Sequence, residues 1–352
     1  MTLIGVQGSS YRRPGARLIV CADGTYEGSI SAGCLEADLL RKAAWLTRNG
    51  SAVERYSTLF DETAEIPFGL GCGGVLDVLM EPVETPECQA LLHALKCSLS
   101  GAEHLVVTWL PSDQHEMMRA TFRSDGEVVF SSDSLSGKSL SEAWMKYLHG
   151  DNSSHAGMFV ERLLPPQRLF VFGAGDDARP LVTIACLLGW KVTVVDGRAH
   201  LAQKSRFPEG EVDVVSAPDS VIKRIISRDA VVIMTHSYEQ DRDFLTALLP
   251  VRTKYLGLLG SRQRSSFLIA DAAAKLGWTV SECCEYVCAP AGLNIGGEGP
   301  EAIALAIMAE AQACCMGKRD DSSKLSAENV VHHLESSDSQ SFVQAECFLN
   351  TI

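Results

Sequence analysis

Short apolar runs set between glycines, prolines and polar turns dominate the first half of the chain. Residues 3–7 and 16–22 read as strands, with Ala22-Asp23-Gly24-Thr25 as a hairpin turn after the second. Leu35, Leu39, Ala43 and Leu46 recur at helical spacing and predict a helix from about Cys34 to Leu46. A strand follows near 52–59, then the loop IPFGLGCGG, then the alternating strand VLDVLMEPV. Residues 87–99 read as helix and 104–110 as strand, while MMRATF and EVVFSS, split by Ser124-Asp125-Gly126, form a hairpin. LSEAWMKYLHG completes the helices here and MFVERLL the strands. Pro165-Pro166 stops every periodic pattern and marks a boundary.

Beyond residue 168 the pattern changes. RLFVFGAG, KVTVVD, EVDVVSA, AVVIMTH and KYLGLLG are near-continuous aliphatic runs, most of them separated by helical segments. Such strands have both faces buried, as in a parallel sheet with helical crossovers. Proline at the first helical position and Glu301 open a last helix, Pro300 to about Cys315. The expected fold is α/β: an N-terminal mixed α+β domain over 1–164, a Rossmann-like domain over 165–318, and a polar serine-rich tail over 319–352.

Composition narrows the function. At 352 residues the chain is too long for one ordinary core. A net charge of −13 argues against a general nucleic-acid partner, so any anion site must be local. No apolar run is long enough to span a bilayer, and the opening MTLIGVQGSS is unlike a signal peptide. The 12 cysteines are scattered, and neither Cys283-Cys284-Cys288 nor Cys314-Cys315 has metal-ligand spacing with nearby histidines. The expectation is a cytoplasmic protein with mostly buried thiols.

Against that acidic background, Arg12, Arg13 and Arg17 stand together in GSSYRRPGARLIV. A guanidinium fork on a glycine-rich turn suits phosphate or carboxylate, although a surface turn pairing with the chain's own acids is the plainer alternative. Ser31 and Cys34 lie in GSISAGCLE, where Cys34 stands near a helix N-terminus that would favour its thiolate. Gly71, Cys72 and Gly73 belong to GLGCGG, whose backbone could form an anion-holding nest; either cysteine could equally be a small buried hydrophobe.

In the second domain, Gly173 and Gly175 of FGAGDDA follow a strand and open a helix, and Asp196 ends the next strand 21 residues later. This is the dinucleotide fingerprint in context, with the acid placed for ribose hydroxyls. Asp176 and Asp177, however, occupy the turn where a diphosphate would sit and would repel it. His236, Ser261 (as a helix N-cap) and Arg262 follow later strands, at the edge where open α/β sheets bind ligands.

Eight blocks in order, SSYRRPGARLIV, GSISAGCLEADLL, GLGCGGVLDVLMEP, VFGAGDDARPL, VVDGR, VIMTHSYEQD, YLGLLGSRQR and PAGLNIGGEGPEAIALAIMAE, resemble the XdhC/CoxI family over about residues 4–317. These are accessory factors of xanthine dehydrogenase and related molybdenum hydroxylases. The resemblance implies a homodimer that is not itself a redox enzyme. It implies binding of molybdenum cofactor, as molybdopterin in mononucleotide or dinucleotide form. The cofactor would be protected while a cysteine desulfurase exchanges an oxo ligand for sulfide, then delivered to the apo-hydroxylase. On that reading Arg12, Arg13 and Arg17 contact the phosphate, with Cys34 and Cys72 near the metal or its sulfur ligand. The pattern also implies a helix before the first strand, where this chain begins, and a glycine at Ala32, a minor change for a residue of negative φ. Two other classes compete: an NAD(P)-dependent oxidoreductase using the fingerprint, and a thiol-based redox or persulfide protein, weakened by the lack of a Cys-x-x-Cys pair.

Overall fold

The computed structural model describes residues 1–33, 35–57, 74–149, 157–208 and 212–318. The chain divides into two units, Met1–Pro166 and a second beginning at Gln167.

The first unit contains β1 (Thr2–Gln7), β2 (Leu18–Val20), β3 (Tyr26–Gly28), α1 (Glu36–Leu46), β4 (Ala52–Ser57), β5 (Val75–Met80), α2 (Pro86–Leu99), β6 (His104–Trp109), β7 (Met118–Arg123), β8 (Val128–Ser131), α3 (Gly137–Leu148) and β9 (Met158–Leu163). They make antiparallel sheets in the orders β1-β5-β4 and β8-β7-β6-β9, and a β2-β3 ribbon. Alternate residues of β1 and β5 (Leu3, Leu76, Val78, Met80) bury one face against Ile30, Leu35 and Leu39. Ile4 and Leu79, of opposite parity, pack instead with Met117 and Phe159 of the four-stranded half. Arg119, 1% exposed, ties the two sheets together. It donates to both oxygens of Glu81 at 2.7 and 3.1 Å, to the Glu87 carbonyl at 2.7 Å and to Thr108 Oγ1 at 3.0 Å. A charge this deeply buried is tolerated because nearly every donor is used.

The second unit contains β10 (Arg168–Phe172), α4 (Ala178–Leu187), β11 (Lys191–Val195), β12 (Val212–Val215), α5 (Pro218–Ile222), β13 (Ala230–Ile233), α6 (Tyr238–Leu248), β14 (Tyr255–Leu258), α7 (Arg262–Leu276), α8 (Val280–Tyr286) and α9 (Pro300–Cys315). All five strands run parallel, in the order β12-β11-β10-β13-β14. This is the doubly wound sheet the five aliphatic runs predict. Leu169, Val171, Val192, Val194 and Val232 face α4 and α9, whereas Phe170, Phe172, Val231, Ile233 and Leu256 face α6 and α7. β10 has β11 on one side and β13 on the other, so strand order reverses there. Loops after these strands meet at the carboxyl edge, where such sheets bind ligands. No helix among the described residues is long and apolar enough to cross a membrane.

Candidate functional site

The arginine turn is pinned to β1. Gly15 N donates to the Leu3 carbonyl at 2.8 Å, Leu3 N to the Ala16 carbonyl at 2.9 Å, and Thr2 pairs with Arg17 as an isolated bridge. The three arginines do not act alike. Arg17 forms an ion pair with Glu161 of β9 and donates to the Gly15 carbonyl at 3.0 Å. For Arg17 the plainer expectation, pairing with the chain's own acids, is the one the structure bears out. Arg12 and Arg13 are exposed and, among the described residues, have no ion-pair partner. Among the described residues, two guanidinium groups are thus held at this turn with no acid paired to them.

The loop from Ser29 to Leu35 is organised by a residue that sequence reasoning passed over. Glu36 Oε1 accepts from Ser29 Oγ (3.0 Å), Ile30 N (3.0 Å) and Ser31 N (2.9 Å). Its Oε2 accepts from Ser31 Oγ (2.5 Å), Gly33 N (2.9 Å) and Leu35 N (3.2 Å). Burial pushes the carboxyl pKa up, but hydrogen bonds from the Ser31 hydroxyl and amide, its own amide and Ser29 outweigh this and hold it at about 2. The amides that would form an anion cradle are therefore filled by an internal carboxylate, so α1 begins at Glu36 rather than Cys34. Ser31, 7% exposed, is a member of this network. A glycine–serine loop followed by an acid in the first helical turn was the available signal. Ala32 departs from expectation: its φ is +63°, in the left-handed region glycine would favour, so the substitution carries strain.

Both glycine-rich segments touch the arginine turn. Ser29 N donates to the Arg17 carbonyl at 2.9 Å, and a Cβ on Gly28 (φ +95°) would stand 2.3 Å from the same oxygen. Gly74, which ends GLGCGG, approaches the stretch before the arginines so closely that a Cβ would lie 2.1 Å from the Ser9 carbonyl. The loop after β3 thus meets the arginine turn where it returns beside Thr2, at the start of β1, and the end of GLGCGG meets it just after Gln7, at the other end of that strand. Cys34, Gly71, Cys72 and Gly73 themselves lie outside the described residues.

At the carboxyl edge of the second sheet, the fingerprint glycines serve the chain's own packing. A Cβ on Gly173 (φ +120°) would meet the Met234 carbonyl at 2.4 Å, and one on Gly175 would meet Asp177 Oδ1 at 2.6 Å. Asp177 Oδ2 lies 2.7 Å from His236 Nε2, bridging the loops after β10 and β13, and His236 has φ +65°. Asp176 pairs with Arg206 at 2.8 Å, so both acids of the turn are matched by cationic or imidazole partners rather than left to repel an anion. Asp196, 6% exposed, does not offer a carboxylate to ribose. It accepts from Ala174 N at 2.8 Å and from Arg198 N, Nε and Nη2 at 2.9, 2.9 and 2.7 Å. Burial raises its pKa, and the Arg198 and Ala174 bonds more than reverse that. Ser261 caps α7 as expected, accepting from Arg264 N at 3.2 Å. Arg262 is exposed, without an ion-pair partner among the described residues. Sequence reasoning missed the layer beneath: buried Asp241 accepts from Thr235 N and Oγ1 and lies 2.7 Å from Arg264 Nη2. No cluster of three or more potential metal-ligating side chains occurs among the described residues.

Comparison with known proteins agrees with this architecture. The model of the XdhC and CoxI family matches residues 1–57, and that of the XdhC Rossmann domain matches residues 169–311. The chain is 28% identical to a protein of Bacillus subtilis (strain 168) named as a probable subunit of xanthine dehydrogenase, covering 88% of this chain and 90% of that one. It is 23% identical to the molybdenum cofactor insertion chaperone PaoD of Escherichia coli (strain K12), over 92% and 85% of the two chains. A crystal structure described as a xanthine dehydrogenase from Bacillus halodurans superposes with a TM-score of 0.76 at 29% identity, covering 94% of each chain. In sequence blocks, in both family models and in fold, this chain belongs to the XdhC and CoxI family.

Proposed function

We propose that this protein is a maturation factor for a xanthine dehydrogenase-type molybdenum hydroxylase, one that binds molybdenum cofactor and passes it to the apo-enzyme. The observation that carries the reading is the Arg12–Arg13 pair, without an ion-pair partner among the described residues, on a turn touching both glycine-rich loops, in a chain similar to a named cofactor insertion chaperone. The donor chemistry fits the cofactor's phosphate: two guanidinium groups supply planar, charge-assisted donors to a phosphate monoester. Arg17 serves as scaffold through Glu161, and the Ser29–Leu35 amides are satisfied by Glu36, so neither is available to the phosphate. When bound, the cofactor supplies the molybdenum centre on which the client's oxygen-transfer chemistry depends. What this chain contributes is anion recognition and shielding. Cys34 and Cys72, flanking that edge in sequence, would lie near the metal's exchangeable ligands. On the same reading the protein works as a homodimer in the cytoplasm and meets a cysteine desulfurase while loaded.

Acid and iodine oxidation of protein purified from a molybdenum-replete host tests this. The expected result is a fluorescent pterin in stoichiometric or near-stoichiometric yield. Cys34→Ala and Cys72→Ala should lower that yield; its absence from wild type grown with a client hydroxylase would refute the reading.

A further inference from the structure

The twelve residues after Asp196, GRAHLAQKSRFP, hold Arg198, His200, Lys204 and Arg206 and no acid, within a chain of net charge −13. This loop has a built shape. Leu201 and Phe207 pack into the core beside α4, Leu201 N and Ala202 N both donate to the Arg198 carbonyl at 2.9 Å, and Phe207 N donates to the Lys204 carbonyl at 2.9 Å. It sits after β11, beside the fingerprint turn, to which Arg206 reaches through Asp176. His200 and Lys204 are exposed and have no ion-pair partner among the described residues; Glu209 and Glu211, next in the chain, lie outside these.

Asp196 decides the ligand chemistry. At this position of a Rossmann sheet a free carboxylate takes the ribose 2′-hydroxyl, whereas a nearby arginine accommodates a 2′-phosphate. Here both carboxylate oxygens are occupied by Ala174 N and Arg198, so the acid orients the guanidinium. Arg198 remains 43% exposed, and its Nη1 has no partner among the described residues. We infer that the second unit binds a nucleotide carrying a phosphate monoester on its ribose, with that phosphate held by Arg198, His200 and Lys204 at the end of β11.

This site belongs to the second unit, the Arg12–Arg13 turn to the first, and each is tested by its own variants. Titration calorimetry on the full chain compares 2′,5′-ADP, 5′-AMP and inorganic phosphate as probes. The expected result is saturable binding of 2′,5′-ADP about ten-fold or more tighter than 5′-AMP, weakened about ten-fold by Lys204→Ala and again by Arg198→Gln. Thermal unfolding confirms that both variants are folded, and Arg12→Ala should leave the affinity unchanged. Four outcomes would each overturn the inference: no binding of 2′,5′-ADP, equal affinity for 5′-AMP, inorganic phosphate competing as well as 2′,5′-ADP, or affinity lost on Arg12→Ala but not on Lys204→Ala.

Discussion

Glu36 shows how one side chain can turn a glycine-rich segment from a ligand cradle into a scaffold. Its six hydrogen bonds come from five residues of the preceding loop. A folded pKa of about 2, against an ordinary 4.5, sets the sign of the pH dependence. The stabilisation is fully present above about pH 4.5 and fades as pH falls from there toward 2. Glu36→Gln should lower stability by about 2–3 kcal/mol at pH 7, with the gap closing over that acid window, as read by thermal melts at stepped pH. A constant gap from pH 7 to pH 2 would show that the carboxylate's charge is not what matters. Ala32 poses the converse case. Ala32→Gly should raise stability by about 0.5–1 kcal/mol, because relief of a left-handed alanine exceeds the extra flexibility of unfolded glycine. A lower melting temperature would contradict the assigned φ of +63°.

At the scale of elements, periodicity carried most of the information. The five parallel strands, the hairpin around Ser124–Gly126 and the helix Pro300–Cys315 are all where alternation, turn residues and an N-terminal proline put them. What periodicity could not convey was the use of polar groups once elements came together. The pairing of Asp196 with Arg198, Asp177 with His236 and Arg17 with Glu161 depends on contacts that no local pattern encodes. Asp196 fits the fingerprint in sequence yet is spent internally. Arg119 is a further example, an arginine inside the strand MMRATF whose alternation looks ordinary until its buried partner Glu81 is known. Arg119→Met should destabilise the first unit by about 3–5 kcal/mol by stranding that carboxylate, whereas Arg119→Met with Glu81→Leu should recover much of the loss. Denaturant unfolding of both variants measures this; equal losses would mean that packing volume, not the unpaired charge, sets the cost.

For the whole molecule, an acidic chain of net charge −13 carries short basic segments in each of its two units, so anion binding rests on local groups and not on the overall field. Family membership was legible because eight motif blocks occur in order, something no single glycine loop conveys. That Arg17 is neutralised was not legible, since its partner lies 144 positions away. The central claim is that Arg12 and Arg13 carry the cofactor's phosphate. The most direct test is the dissociation constant for isolated molybdenum cofactor, by equilibrium gel filtration with pterin fluorescence, in wild type and in Arg12→Ala/Arg13→Ala. Loss of two charge-assisted contacts should weaken binding by about 100-fold or more while the melting temperature stays within a degree or so. Binding unchanged in the double variant would contradict the account.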